Sequence, residues 1–481
     1  MKRLFFTAAL ILLASAVLNA FEVKERIYPA DVEVTLHLRA CSKWALEWIR
    51  DNSSVQGTKQ MKDSRGRSVP PVGYCLEDHS YTPENVFTGR PVPRAVNFKV
   101  SGNEVVIKLQ LKGENMHYIV FSKPPAPPRN RWNRRVVKLL TLDAETFKLR
   151  PFKGNLHQHS TVSDGRFAPE EHAAFARLAG FDYVAVSDHA RYDQNAPVMK
   201  TAAESKSGLS VYPAEELHTP GGVLHGLSIG GTKGHSFLKN RTPEWLKEVK
   251  PLHEELIKKY PKVPHAQLLS WAESLLVARR ARADGALVVY CHPAWRKQLS
   301  RNNSIEMGNF IMRQKEFDVI EVINGTMGGK TRRENMESLA IYTEVCAETG
   351  FRKPVMSSSD SHNVSHANYA RNYNIIFAPD CTFPSFKAAF LEGRAVAAFD
   401  IDPSEAKNSP QPLFWGRSSF VRYANFLDEI GYWKKHDDHA QKQGALLQKF
   451  VKGDKTVVPR IEKIAGELEL IRNGIYYKPG K

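Results

Sequence analysis

Short apolar segments alternate with helical segments along residues 151–400, and this alternation constrains the fold more than any other feature. Apolar segments such as 182–187 and 286–292 are separated by helical patterns such as 243–259 and 264–283. Polar residues recur at the carboxyl ends of the apolar segments. Strands that alternate with helices and end in polar residues are typical of a β/α barrel. We therefore expect an α/β fold with a barrel in this part of the chain.

Histidine and carboxylate side chains occur at the ends of successive predicted strands. They are His157, His159, Asp164, His189, Glu216, His225, His292, Asp360 and His362. Residues i and i+2 of a strand project from the same side, so His157 and His159 can converge on one ion. Asp164 lies in a Ser-Asp-Gly turn, which can return its carboxylate to the strand end. A buried cluster of this kind is costly to desolvate unless cations are bound.

The ligand types indicate which metals would fit. Imidazole with carboxylate favours Zn, Mn or Fe over Ca or Mg. About nine candidate ligands are more than one ion uses, and a carboxylate such as Glu216 can bridge two ions. Any single histidine here has an ordinary interpretation as a hydrogen-bonded or surface residue. Their recurrence at successive strand ends is what indicates a metal site.

The same residues lie in motifs that resemble those of the PHP (polymerase and histidinol phosphatase) metallohydrolases. In order, the motifs are GNLHQHSTVSDG, VSDH, PAEELHT with a following histidine, YCHP and SSDSH. The resemblance covers roughly residues 151–400 and is nearest to exported members in which a β-domain precedes the barrel. It implies a distorted (β/α)7, TIM-like barrel with about three divalent transition-metal ions, Mn, Zn or Fe.

The resemblance also implies which residues hold which ion. One ion would be held by His157, His159, Glu216 and Asp360, a second by Asp164, His189 and His362, and a third by Glu216, His225 and His292. The choice of Glu216 over Glu215 rests on the Glu-x-His-Thr spacing. Asn155 stands where the exported relatives usually have Asp, at a position that is not a ligand.

Further residues are expected to assist the reaction. Ions of this kind lower the pKa of a bound water molecule, so that hydroxide forms near neutral pH. This hydroxide would attack phosphorus in line. Asp188 is expected to orient a ligand imidazole. Arg191, Arg296 and Arg371 follow ligand strands and are candidates for bidentate phosphate binding, with an ordinary surface position as the alternative for each.

The expected activity is hydrolysis of a small anionic substrate, a phosphate ester. Attack on carbonyl carbon leaves carbamate, amide or ester hydrolysis open, and binding of a glycan or anionic polymer without catalysis is a third interpretation. The net charge of +17 and the pI of about 9.5 favour anionic partners. Basic residues are nevertheless scattered through the chain and no nucleic-acid-binding motif is present, so no nucleic-acid partner is expected. The sequence leaves the oligomeric state open.

Residues 1–20 have the features of a signal peptide, with Ala16 or Ala20 as the cleavage site. Two basic residues precede the apolar run 4–13, which is too short to span a bilayer comfortably. No second apolar run approaches membrane length. We therefore expect a periplasmic or secreted protein without stable membrane insertion.

The flanking regions differ in pattern from the central one. Residues 21–150 contain segments of period two and predict a small β-rich, sandwich-like domain, whereas residues 401–481 predict a helical extension. Export permits disulfides, and Cys41 and Cys75 are expected to pair because they share a domain. The two histidines of the sequence KKHDDHAQ, in the helical extension, are expected to face solvent.

Overall fold

The computed structural model describes residues 20–52, 61–62, 68–69, 75–78, 94–122, 134–220, 224–237, 240–297, 300–301, 305–325, 329–363, 369–400 and 412–478. Residues 1–19 of the expected signal peptide lie outside this part of the chain. The chain forms two compact units, Met1–Lys148 with Asn473–Lys481, and Leu149–Arg472. The second unit contains all the predicted metal ligands.

The first unit is built mainly from short strands. Its elements are β1 (Phe21–Glu22), β2 (Ile27–Pro29), β3 (Val32–Ala40), α1 (Lys43–Asn52), β4 (Met61–Lys62), β5 (Ser68–Val69), β6 (Cys75–Asp78), β7 (Arg94–Ala95), β8 (Phe98–Ser101), β9 (Glu104–Leu111), β10 (Met116–Ser122), β11 (Arg134–Leu142) and α2 (Ala144–Phe147). One sheet has the order β1-β3-β9-β8 and another the order β2-β11-β10-β6-β7, while β4 pairs with β5.

Side chains from both larger sheets of this unit share one hydrophobic core. In β3, buried and exposed residues alternate, as expected for a strand with one face towards a core. The rings of Phe21 and Phe121 stack with centroids 4.0 Å apart. The indole nitrogen of Trp48 in α1 donates a hydrogen bond to the backbone oxygen of Ser122 at 3.1 Å.

The predicted disulfide between Cys41 and Cys75 is wrong. Cys41 is a thiol whose Sγ donates a hydrogen bond to the backbone oxygen of Ala20 at 3.3 Å, and a disulfide sulfur has no hydrogen to donate. The reason is topological. Cys41 follows β3 in one sheet, whereas Cys75 begins β6 in the other sheet. Membership of one unit did not bring the two strands together.

The second unit combines strands and helices. Its elements are β12 (Arg150–Asn155), α3 (Glu171–Leu178), β13 (Tyr183–Val184), α4 (Asn195–Glu204), β14 (Ser210–Val211), β15 (Ala214–His218), β16 (His225–Ile229), α5 (Pro243–Lys259), α6 (His265–Ala283), β17 (Leu287–Tyr290), β18 (Arg296–Lys297), β19 (Ser300–Arg301), α7 (Ile305–Met312), β20 (Val319–Asn324), α8 (Gly329–Thr349), β21 (Val355–Ser358), β22 (Asn372–Ala378), α9 (Phe383–Leu391), β23 (Ala395–Asp400), β24 (Pro412–Gly416), α10 (Ser418–Glu429), α11 (Tyr432–Val451) and α12 (Val458–Gly474), with a 3₁₀ turn at Lys455–Val457.

The strands of the second unit lie in two mixed sheets. One has the order β14-β13-β12-β22-β23-β24 and the other the order β15-β16-β17-β20-β21, while β18 pairs with β19. The pairs β12–β22, β15–β16 and β16–β17 are antiparallel, unlike those of a regular parallel barrel. Isolated bridges, Gln158 with Ser361 and His189 with Glu216, join the two sheets. The fold is therefore mixed α/β, as the alternation of strands and helices predicted.

Apolar side chains from the two sheets meet in a common core. Leu156, Tyr183, Leu227, Val289 and Met356 belong to this cluster, and each is fully buried. Because the strands pack around one core, the segments that follow them are brought to the same region. This arrangement positions the site described below.

The region after residue 400 is less uniformly helical than its composition predicts. β24 pairs antiparallel with β23 and extends the first sheet of the unit. α11 packs against α3 at Gly444, where an added Cβ would lie 2.6 Å from the backbone nitrogen of Leu178. Glycine therefore permits a close approach of these two helices. Among the residues described, no helix combines the length and the apolar character that crossing a membrane requires.

The expectation that both histidines of KKHDDHAQ face solvent is wrong for His436. Its imidazole is fully buried, with Nε2 3.0 Å from Oδ1 of Asp182 and Nδ1 3.2 Å from Oδ1 of Asp437. Asp182 also accepts a hydrogen bond from Arg472 at 2.6 Å. A buried carboxylate needs such partners, and this one draws His436 inward. His439 is half-buried and contacts the backbone oxygen of Lys435.

Candidate metal centre

The ends of several strands deliver the candidate ligands to one place. His157 and His159 follow β12, and His189 follows β13. Glu216 lies within β15, His225 begins β16, and His292 lies two residues after β17. Asp360 and His362 follow β21, and the bridge between Gln158 and Ser361 holds that segment beside the first one.

Glu216 lies at the centre of the cluster and is fully buried. Its Oε2 is 2.8 Å from His189 Nδ1 and 3.4 Å from the Nε2 atoms of both His157 and His159. Its Oε1 is 2.6 Å from His225 Nδ1. His292 Nε2 is 3.6 Å from the same oxygen. A carboxylate among five imidazoles is in the position of a bridging ligand.

The two aspartates lie on either side of His159. Asp360 Oδ1 is 3.0 Å from His159 Nε2 and 3.3 Å from His157 Nε2. Asp164 Oδ2 is 3.3 Å from His362 Nε2 and 3.6 Å from His189 Nε2. The structure thus brings together all nine ligands predicted from the motifs. Glu215, the alternative to Glu216, uses its carboxylate instead to accept a hydrogen bond from Ser236 Oγ at 2.8 Å.

Several buried polar atoms of the cluster lack hydrogen-bond partners among the residues described. They are His157 Nε2, His159 Nδ1, Glu216 Oε2 and His292 Nδ1. Leaving a polar group buried and unsatisfied costs about 1–3 kcal/mol. Four sets of His, Asp and Glu, including His157 with His159 and Asp360, place one donor atom per residue within 4.8 Å of one another. The unsatisfied atoms and the donor set together fit divalent metal ions.

The pKa values show how the cluster is balanced without a cation. Burial opposes protonation of His157, but Asp360 and Glu321 outweigh it, and the pKa of His157 is raised well above its usual value. Burial also opposes ionisation of Glu216, but His157 and His225 hold its pKa well below the usual value. The hydrogen bond with His362 lowers the pKa of Asp164 to about 2. These shifts favour ionised carboxylates at Glu216 and Asp164 and a protonated His157.

Backbone conformation at the site is unusual. Three non-glycine residues have positive φ angles, Ala190 at 47°, His292 at 26° and Asp360 at 47°. Such conformations cost on the order of 1–3 kcal/mol each. They occur at two candidate ligands and directly after a third. The backbone is therefore strained at the positions that direct ligand side chains into the site.

Comparison with known proteins adds a short sequence match and several distant structural ones. No protein-family profile matches the chain. The DNA polymerase/3'-5' exonuclease PolX of Bacillus subtilis (strain 168) is 37% identical over 79 residues, which are 16% of this chain and 14% of that protein. A two-domain protein from Bacteroides vulgatus ATCC 8482, described as containing a predicted PHP-like metal-dependent phosphoesterase, is 17% identical, with 52% of this chain and 66% of that one covered and a TM-score of 0.38. The lesion-specific endonuclease PfuEndoQ of Pyrococcus furiosus is 14% identical, with 67% and 91% covered and a TM-score of 0.34.

The ordered motifs, which resemble those of the PHP family, thus supply the nine side chains, Glu216 among them, that meet in this cluster. The second unit therefore carries PHP-like motifs, and we refer to it as the PHP-like domain. The chain covers less than two thirds of both the bacterial polymerase and the two-domain protein, at 14% and 66% of their lengths.

Glu321 is a residue of the PHP-like domain that the sequence did not reveal as part of the site. It is fully buried in β20, with Oε1 2.9 Å from His157 Nδ1. Its Oε2 accepts a hydrogen bond from the backbone nitrogen of His292 at 2.8 Å. Glu321 therefore orients His157 so that Nε2 faces Glu216. The feature of the sequence that could have indicated Glu321 is the presence of a glutamate within the apolar strand VIEVIN.

Asp188 does not take the role predicted for it. Its carboxylate accepts hydrogen bonds from Ser160 N at 2.7 Å and from the hydroxyls of Ser160 and Ser163 at 2.5 Å each. Within the described part of the chain it makes no hydrogen bond with a ligand imidazole. The reason is that the turn after His159 folds back over the end of the next strand. Asp188 therefore fixes the turn that carries Asp164.

The three predicted phosphate-binding arginines have different surroundings. Arg191 is exposed and its guanidinium pairs with Asp193 at 2.5 Å. Arg371 is half-buried, directly before β22. The side chain of Arg296 lies outside the described part of the structure. Their role in binding phosphate stays a prediction.

Proposed function

We propose that this chain is an exported, metal-dependent phosphoesterase whose PHP domain holds about three transition-metal ions. The observation that carries the proposal is the position of Glu216, whose two oxygens approach five imidazoles in a buried cluster with unsatisfied donor atoms. Mn, Zn and Fe are the metals that suit this mixture of nitrogen and oxygen ligands.

We assign the ions as the motifs imply, and the distances of the candidate ligands from Glu216 are compatible with this assignment. His157, His159 and Asp360 with Glu216 would hold one ion, and Asp164, His189 and His362 with His159 nearby would hold a second. Glu216, His225 and His292 would hold a third. The grouping of His159, Asp164, His189 and His362 within 4.8 Å supports the second position.

The two bridged sheets support a seven-stranded PHP barrel as the finer description of the fold. The strands β12, β13, β15, β16, β17, β20 and β21 follow one another through ladders and the two isolated bridges. We infer that these strands correspond to the distorted (β/α)7 barrel expected from the motifs, with β16 reversed.

The residues of the chain divide the work of the reaction. When bound, divalent cations would lower the pKa of coordinated water and offset negative charge on phosphoryl oxygens. Glu321 holds His157 by its Nδ1 edge, which directs Nε2 into the cluster. Asp188 holds the turn bearing Asp164. Burial of His157, His159 and Glu216 excludes water from the inner wall of the site and strengthens every charge interaction there.

Charge supports an anionic substrate. The chain has a net charge of +17, which would raise the rate of encounter with anions, and salt would weaken the effect. A phosphate ester presents several non-bridging oxygens to several ions, whereas a planar carbonyl presents one. Export is proposed on the signal-like character of residues 1–20.

A substrate panel with a matched pair of variants tests this function. The mature protein, loaded with Mn, Zn or Fe, is assayed against phosphomonoesters, phosphodiesters, carbamates, carboxylic esters and DNA oligonucleotides. We expect small phosphate esters to be hydrolysed, with competitive inhibition by inorganic phosphate. Glu216→Gln should abolish turnover and reduce metal content, whereas Glu215→Gln, a change at the adjacent buried glutamate, should preserve the metal. Hydrolysis of carbamates or esters without phosphate esters, or of DNA alone, would replace the proposed substrate class.

A further inference from the structure

His218 is a buried histidine beside the cluster that the PHP motifs do not include among the ligands. It is the last residue of β15, two positions after Glu216, so both side chains project from the same side of the strand. The residue is only 8% exposed. Its Nε2 lies 2.8 Å from His189 Nδ1, and its ring centroid lies 4.4 Å from that of His225.

The donor atoms around His218 have the spacing of a shared coordination shell. His189, Glu216, His218 and His225 each offer one atom within 4.8 Å of the others. Ligand atoms on one ion with bonds of about 2.1 Å lie about 3.0–3.4 Å from one another. The 2.8 Å contacts of His189 Nδ1 with both Glu216 Oε2 and His218 Nε2 are close to that spacing.

Hydrogen bonding alone does not account for this contact. His189 Nδ1 carries at most one hydrogen, yet it faces an acceptor oxygen of Glu216 and a nitrogen of His218 at the same distance. If that hydrogen points to Glu216 Oε2, His218 Nε2 receives no hydrogen bond from it, and if it points to His218 Nε2, Glu216 Oε2 receives none. Glu216 Oε2 is in fact buried without a well-oriented hydrogen bond. A cation among the three atoms would satisfy all of them.

We propose that His218 is a further nitrogen ligand, binding through Nε2 to the ion held by Glu216 and His225. His189 would belong to this ion through Nδ1 and no longer to the second ion. The inference rests on the metal binding of the proposed function and is independent of the bond that is cleaved. An additional imidazole at this ion replaces a water or carboxylate oxygen. The position therefore selects Zn²⁺ or Fe²⁺ over Mn²⁺, because imidazole suits the first two better than the third.

Metal binding by the full chain tests the inference without reference to activity. Metal-free wild type, His218→Gly, His218→Gln and the control His253→Gln are equilibrated with buffered Zn²⁺, and bound metal is measured by mass spectrometry. His253 lies on α5 and contacts the backbone oxygen of His265, so its change should leave binding unaltered. In the His218 variants we expect one ion to bind at least about tenfold more weakly, with the others retained.

Two further measurements separate a ligand from a residue that only orients His189. Removal of a ligand should change the visible absorption of the Co²⁺-loaded protein, and added imidazole should restore Zn²⁺ affinity to His218→Gly. Unchanged Co²⁺ spectra and Zn²⁺ affinity in folded variants, as judged by circular dichroism, would overturn the inference while leaving the proposed function intact. Absence of metal binding by the wild type would instead remove the proposed function.

Discussion

Oδ1 of Asp360 lies 3.0 Å from Nε2 of His159, although 201 residues separate them in the chain. Each residue follows a different strand, and the bridge between Gln158 and Ser361 aligns the two segments. The contact depends on the two sheets packing around one core. Folding of the PHP-like domain therefore brings the candidate ligands together, and ions bound there would stabilise the domain.

Replacement of Glu321 by glutamine should weaken metal binding without removing a ligand. The amide would no longer offer two acceptor oxygens to His157 Nδ1 and to the backbone nitrogen of His292. Loss of such an outer partner typically lowers metal affinity by about 10–100-fold. Titration of the metal-free protein with Zn²⁺ measures the change.

Glu316→Gln provides a matched control for Glu321→Gln. Glu316 is also buried, but it pairs with Arg279 at 2.9 Å instead of with a candidate ligand. We expect the Glu316→Gln variant to bind metal as tightly as the wild type does. Equal losses in both variants would show that the effect of Glu321 is a general loss of stability.

The sequence predicted which side chains lie close together better than it predicted the sheets that carry them. His157, His159 and Asp360 were recognisable because histidines and carboxylates recur at the ends of successive predicted strands. The direction of β16 was not recognisable, because apolar periodicity identifies a strand without specifying its partners. Glu321 was hidden for a related reason, since its role depends on His157 and His292 from other strands.

The C-terminal helices were the least predictable part. His436 lies in a highly charged segment, which is typical of a solvated surface. It is buried because Asp182 and Asp437 supply acceptors for both of its ring nitrogens. Such pairing between distant segments leaves no periodic signal in the sequence.

His436→Gln should destabilise the second unit in a pH-dependent manner. Burial lowers the tendency of His436 to protonate, but Asp182 and Asp437 outweigh it and raise its pKa. The unfolded pKa is about 6.5, so the protonated pair contributes fully below that pH and is lost as pH rises through the higher folded value. We expect the wild type to exceed the variant by about 1.5–3 kcal/mol in unfolding free energy near pH 6, with a smaller difference near pH 9.

Urea denaturation across this pH range measures that difference. His439→Gln is the control, because its ring contacts only the backbone oxygen of Lys435 among the bonds described and its change should alter stability by less than about 0.5 kcal/mol. A difference between wild type and His436→Gln that grows with pH would mean that His436 is buried in its neutral form.

For the export proposed above, the contacts of Ala20 predict where the signal peptide would be cleaved. Its backbone oxygen accepts hydrogen bonds from the backbone nitrogen of Cys41 at 3.0 Å and from Cys41 Sγ at 3.3 Å. Cleavage after Ala20 would remove this acceptor, whereas cleavage after Ala16 retains it. We expect amino-terminal sequencing of exported protein to begin at Val17, and a start at Phe21 would contradict this assignment.

Metal binding should release protons and should strengthen as pH rises. Burial opposes protonation of His189 and His292, but contact with Glu216 raises the pKa of both, and Asp164 raises that of His362 in the same way. Without a cation these rings retain protons at pH values where free histidine has lost them. A cation must displace those protons, so its affinity falls by about tenfold per pH unit for each proton released.

Calorimetric titration with Zn²⁺ in buffers of different ionisation enthalpy counts those protons. We expect the apparent binding enthalpy to vary linearly with the buffer enthalpy at pH 7, with a slope of at least about one proton per chain. The slope should decrease towards pH 9 as the rings deprotonate before binding. In Asp164→Asn the pKa of His362 should return towards its usual value, so the slope at pH 7 should be smaller than in the wild type. A slope of zero for the wild type at pH 7 would show that the imidazoles are already neutral and that Glu216 and Asp164 do not hold protons on them.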